Sequence, residues 1–226
     1  MKIPKKLGNC TIENSLYVFE FTTPFNRQYI EDTILSKFAQ NDRHFERYPL
    51  ANEPSNKDNS ALSCYTDHVF KFIVEDNRIT FNIVDKYPQW AAMGSFIVQV
   101  ITNFPSEGLS FKSVTTRYIS RYENIPLFNN LNGEVHLNAF NHIFGAELRY
   151  PLVYGQQIKG LVRITNLLPQ GKNLFSSFAD VEIHKELQNG NIEDALTSCN
   201  EIHTLEKENF FKLLSEDFLN SLNPEY

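Results

Sequence analysis

Cysteine is scarce in this chain. Cys10, Cys64 and Cys199 are the only three among 226 residues, they lie far apart, and none stands in a C-x-x-C pair. An odd, scattered set excludes a disulfide framework and a structural zinc site, and it points to a reducing compartment. Long apolar runs are missing too: nowhere do 18 apolar residues follow one another, and the basic stretch MKIPKKLGNCTIENS has no apolar run behind it to serve as a signal segment. The expectation is a cytoplasmic protein without a membrane segment. Positive charge is in deficit, with 21 Lys and Arg against 27 Asp and Glu and a net of −6. That balance argues against a nucleic-acid backbone as the main partner. The signatures G-x-S-x-G, G-x-x-x-x-G-K-[ST] and G-x-G-x-x-G do not occur, and no cysteine has a basic or helix-start neighbourhood. Hydrolytic and nucleotide-hydrolysing chemistry are therefore disfavoured, no cofactor is called for, and the reading leans away from an enzyme. Solenoid repeats and heptads are absent as well.

What is present suits one core. A length of 226 residues with 42% hydrophobic content fits a single domain over 1–226. A first strand is expected over Leu16 to Thr22, followed by a helix over 25 to 39 capped by Thr23-Pro24, with Ile30, Ile34 and Phe38 inward and Arg27, Glu31 and Lys37 in water. The stretch Tyr48 to Ser63 reads as a surface loop. His68 to Val74 and Ile79 to Val84 make a hairpin around Glu75-Asp76-Asn77-Arg78. Pro88 opens a second helix with Trp90, Met93, Ile97 and Val100 or Ile101 in a stripe widened by Phe96 and Val98, and Gly94 inside it implies close approach of another element. Strands follow at about 110 to 123, 134 to 140, 143 to 153, 157 to 167 and 176 to 187. A last helix starts at the cap Asn191 and runs to about Leu222, with Leu196, Cys199, His203, Phe210, Leu214 and Phe218 along one flank. The fold class is α+β: a largely antiparallel sheet, two helices from the N-terminal half and a long C-terminal helix packed on it.

The stretch TTRYISRYENIP carries the most information. In a pleated strand Thr115, Arg117, Ile119, Arg121 and Glu123 share one face, and Thr116, Tyr118, Ser120 and Tyr122 share the other. A later strand, ADVEIHKEL, puts Asp180, Glu182, His184 and Glu186 on one face, where cross-strand pairing can satisfy the arginines. A metal held by Asp180, Glu182 and His184 would need help from Glu134 and His136, because ligands along one strand lie nearly ~7 Å apart; no metal is expected. The candidate binding residues are Arg117, Tyr118, Arg121, Glu182, His184 and His203, with no catalytic residue among them.

Thr116-Arg117-Tyr118-Ile119-Ser120-Arg121-Tyr122 resembles the Leu-Arg-Tyr-Ile-Asn-Arg-Ile strand of a sporadically distributed prokaryotic family of uncharacterised proteins. Tyr87-Pro88-Gln89-Trp90 is similar to that family's Tyr-x-x-Trp at a helix start, and His203 with Phe210-Phe211 to its terminal helix. Ser120 and Thr116 depart from the pattern, and the N-terminal third matches poorly, as in a divergent member. The resemblance implies a prokaryotic cytoplasmic protein with no assigned reaction, of a kind carried in variable genomic regions where defence functions gather.

Two functions follow as expectations. The first is a protein-interaction module, an accessory component of a defence or toxin-neutralising system, with a protein partner, no direct nucleic-acid binding and self-association left open. The alternative is a small-ligand or nucleotide-binding protein whose pocket lies between a curved sheet and the C-terminal helix, with the arginines and Tyr118 reading an anion.

Overall fold

The computed structural model describes residues 3–4, 6–8, 11–40, 44–47, 63–84, 86–104, 109–133, 147–167 and 176–226. In chain order these form β1 (Lys6–Leu7), β2 (Thr11–Phe21), α1 (Arg27–Gln40), β3 (Glu46–Arg47), β4 (Ser63–Thr66), β5 (Phe70–Glu75), β6 (Arg78–Ile83), α2 (Trp90–Ile101) and β7 (Phe111–Glu123). A short 3-10 turn (Leu127–Asn130), β8 (Glu147–Tyr154), β9 (Ile158–Leu167), β10 (Ser176–Gly190), α3 (Ile192–Leu213), α4 (Glu216–Ser221) and β11 (Pro224–Glu225) follow. Nine strands form one antiparallel sheet in the order β3-β4-β5-β6-β2-β7-β10-β9-β8, while β1 and β11 pair separately. Among the described residues the large sheet is open, with β3 and β8 at its edges. Pro151 lies in the edge strand β8, where a missing N–H is tolerated.

Period-two alternation decides the layers. Tyr17, Phe19 and Phe21 of β2, Tyr118 and Tyr122 of β7, and Val181 and Ile183 of β10 are buried, and most of their strand neighbours are half-exposed, Asp180 being buried as well. Each helix packs on that same face. Phe38 of α1 and Phe96 of α2 stack among Phe45, Phe70, Phe72 and Phe81. His203 of α3 meets Tyr118, and Phe218 of α4 meets Tyr122. Burying a ring such as Phe81 or Phe96 contributes about 2–3 kcal/mol, so this aromatic layer is the main adhesive between helices and sheet. Among the described residues the opposite face of the sheet carries no helix.

The α+β class and the antiparallel sheet are as the sequence predicts, and several details differ. The first strand begins at Thr11, five residues before the expected start. Asn26, not Thr23, caps α1, accepting from the Tyr29 N–H at 3.2 Å. Glu31 is buried rather than hydrated because the Tyr65 hydroxyl, on a strand the sequence does not announce, donates to it at 2.6 Å. Trp90 begins α2 after Gln89, and the crowding at Gly94 comes from its own helix: a Cβ there would lie 3.3 Å from the Trp90 indole. The expected terminal helix is two helices. Leu214 is extended and bridges to Leu131, while Ser215 caps α4 by accepting from the Phe218 N–H at 3.3 Å. The loop over 48–62 and the strand over 134–140 lie outside the described residues.

Candidate functional site

β7 is extended, so its arginines leave one face and its tyrosines the other. Cross-strand register sets Glu182 opposite Arg117 and places Asp180 between Ile119 and Arg163. Asp180 then accepts from two arginines. Arg117 Nε donates to Oδ1 at 2.9 Å and Nη2 to Oδ2 at 2.8 Å, and Arg163 Nη1 donates to Oδ2 at 2.8 Å. Glu182 stands 3.8 Å from Arg117 and 3.5 Å from Arg163, completing an alternating lattice of two cations and two anions. The hydrogen bonds to Asp180 push the Arg117 guanidinium above its ordinary range. Pairing of Arg117 with the acids of β10 is as the sequence predicts. Arg121 goes elsewhere: it meets Glu13 at 3.2 Å and Glu123 at 2.9 Å, donates to Ser176 Oγ at 3.1 Å and lies over the Phe178 ring. His184 Nδ1 is 2.9 Å from Thr115 Oγ1 on the same face.

Tyr118 and His203 meet beneath the sheet. The Tyr118 hydroxyl is hydrogen-bonded to those of Tyr17 and Tyr87, the latter at 2.5 Å, and stands 3.3 Å from His203 Nδ1. Trp90 stacks on His203 with ring centroids 4.0 Å apart and gives its indole N–H to Asn200 at 3.3 Å. Glu206, one helical turn beyond His203, is 2% exposed, and its Oε2 lies 3.8 Å from His203 Nδ1. That oxygen is buried and has no hydrogen-bond partner among the described residues; the same holds for Ser15 Oγ and Thr116 Oγ1 on the adjoining sheet positions. Burial, reinforced by Asp180, pushes the Glu206 carboxyl well above its ordinary range, favouring the protonated form. Burial, then Lys207, takes His203 down to about 4, so its imidazole is neutral there. Burial raises the Tyr118 and Tyr87 phenols, with Glu206 adding to both shifts.

The candidate residues therefore divide. Arg117, Arg121, Glu182 and His184 lie on one face and Tyr118 and His203 on the helix face, so among the described residues the sheet itself separates these arginines from Tyr118. Tyr87, Trp90, Tyr118 and His203, which stand in three stretches far apart in sequence, meet in one cluster. Sequence reading passes over Glu206, Tyr17, Asp180 as a double acceptor, and Arg163. A signal for Glu206 exists: the buried flank of α3 runs through 195, 199 and 202, and helical spacing puts an inward residue at 206, where an acid stands. Among the described residues no three His, Cys, Asp or Glu are placed to hold a metal ion. Cys199 is buried, which raises its thiol far above the reactive range.

No protein-family model matches this chain, and no curated protein matches it. Among the described residues no helix is long and apolar enough to cross a membrane.

Proposed function

We propose that this chain is a protein-interaction module that docks its partner on the helix-free face of the sheet. The observation that carries the reading is the Arg117-Asp180-Arg163-Glu182 lattice, which holds long side chains in fixed positions on a sheet face that carries no helix among the described residues. Leu16, Ile119 and Leu161 are half-exposed among these charges. A surface ordered before binding loses less side-chain entropy on association, and arginines interleaved with aliphatic groups match the composition of interface cores. Each arginine of β7 already has carboxylates, which favours a protein face of mixed aliphatic and hydrogen-bonding character over phosphate or another anion. The setting suggested by the family resemblance is a defence or toxin-neutralising assembly.

The test is affinity capture with mass spectrometry, followed by reconstitution of any captured pair from purified components. The parent chain is compared with Leu161→Asp, with the double variant Arg117→Ala, Arg121→Ala, and with Ser95→Asp on the helix side. The reading expects a partner that binds the parent and Ser95→Asp in purified form and loses at least tenfold affinity for the first two variants. A partner indifferent to them, or no partner that survives reconstitution, overturns it.

A further inference from the structure

The helix face holds a second site of opposite chemistry. Glu206 Oε2 has no hydrogen-bond partner among the described residues and lies 3.8 Å from His203 Nδ1, which is itself 3.3 Å from the Tyr118 hydroxyl; the hydroxyls of Tyr17, Tyr87 and Tyr118 keep spare lone pairs after bonding one another. A nine-tenths buried carboxyl oxygen without a partner costs about 1–3 kcal/mol, a penalty that a donor arriving from outside removes. Trp90 separates this cluster from a cleft of about 260 Å³ between α2 and α3, lined by side chains such as Ile97, Val98, Leu196 and Asn200, none of them charged. Gly94 lets the indole lie flat along its own helix as the shared wall.

We infer that cluster and cleft together form a site for a small molecule with an apolar body and a primary ammonium, the body in the cleft and the ammonium against the tyrosine hydroxyls and Glu206. An ammonium brings three donors to this acceptor set, and the surrounding rings favour a cation through their faces. Entry requires the indole to turn aside, which breaks the 3.3 Å bond to Asn200. The titratable groups coupled to Glu206 are Tyr87 ahead of α2, Tyr118 from β7 and His203 from α3, with Asp180 of β10 acting by charge through the sheet; Tyr17 bonds Tyr118, Cys199 acts on Tyr118, and Lys207 acts on His203. Burial favours the protonated form of Glu206 in the free site and a bound ammonium favours the carboxylate, so binding releases protons and affinity rises with pH.

Trp90 is the only tryptophan, so its emission reports on this wall alone. The probes are benzylammonium, benzyl alcohol and benzoate, one skeleton in three charge states. Benzylammonium is expected to shift the emission saturably, with proton release as read from calorimetric heats in buffers of different ionisation enthalpy. The other two should bind at least tenfold more weakly. Glu206→Gln, whose folding is checked by thermal melting, should lose at least tenfold of the benzylammonium affinity, and Tyr87→Phe, at a half-buried position, a smaller factor. Equal binding of benzyl alcohol, or unchanged binding by Glu206→Gln, overturns the site. So does absence of benzylammonium binding, the result expected if water alone satisfies Glu206.

Discussion

His203 and Glu206 lie 3.8 Å apart and are both kept neutral by burial, yet they bend the stability profile in opposite directions. His203 falls from an ordinary 6.5 to about 4, so the unfolded chain takes up a proton that the folded chain refuses; its contribution is present above pH 6.5 and is lost as pH falls towards 4, by up to about 3 kcal/mol. Glu206 is shifted upward from 4.5, so its contribution is present below pH 4.5 and is lost as pH rises towards its folded value. Between 4.5 and 6.5 the two slopes oppose. Each single variant therefore exposes the other group. Relative to the parent, Glu206→Gln gains stability as pH rises above 4.5, and His203→Gln gains as pH falls below 6.5. Urea denaturation across pH measures both differences, and parallel profiles for parent and variants would show that neither group is held neutral.

Two elements are decided by single positions. Ser215 followed by Glu216 and Asp217 repeats the cap chemistry of Asn191 with Glu193 and Asp194, and the chain obeys it, breaking the run that apolar periodicity alone extends to Leu222. The two descriptions differ in the sign of one substitution. In a continuous helix Ser215→Ala would stabilise slightly, since alanine is the better helix former. At a cap it removes the acceptor of the Phe218 N–H and costs about 1 kcal/mol, readable in chemical denaturation. Gly160 governs the β9–β10 seam: a Cβ there would sit 2.8 Å from the Glu182 carbonyl oxygen, which is backbone and cannot swing away. Gly160→Ala should lower stability by about 1–3 kcal/mol, through overpacking rather than strand propensity, and a neutral result in thermal melting would mean that the seam opens freely. Side-chain parity in β7 and β10, the hairpin and the helical stripes were legible because each rests on local periodicity. The pairing of Arg121 with Glu13 was not, because Glu13 comes from β2, and the pairing of β2 with β7 depends on strand order, which no periodicity encodes. Glu31 and Tyr65 failed for the same reason, each being explained only by the other.

Across the whole molecule one sheet separates two polar systems, an ionic lattice outside and a neutral acid among phenols inside. They are not independent. Asp180 anchors the lattice from one side, and its charge is the second cause, after burial, of the upward shift of Glu206 on the other. Asp180→Asn removes that anion and leaves Arg117 and Arg163 without their shared carboxylate, and both changes favour ionised Glu206 through the sheet. The protonation midpoint of Glu206 should move down. The stability that Glu206 loses with rising pH should stop falling at a lower pH, with a smaller total loss, in Asp180→Asn than in the parent, once the overall cost of breaking the buried pair, about 3–5 kcal/mol, is subtracted as a pH-independent offset. The control is the double variant Asp180→Asn, Glu206→Gln, in which the difference attributed to Glu206 must vanish. If the pH profile of Asp180→Asn parallels that of the parent after the offset, the two faces do not communicate, and a partner docked on the lattice has no electrostatic route to the tyrosine cluster.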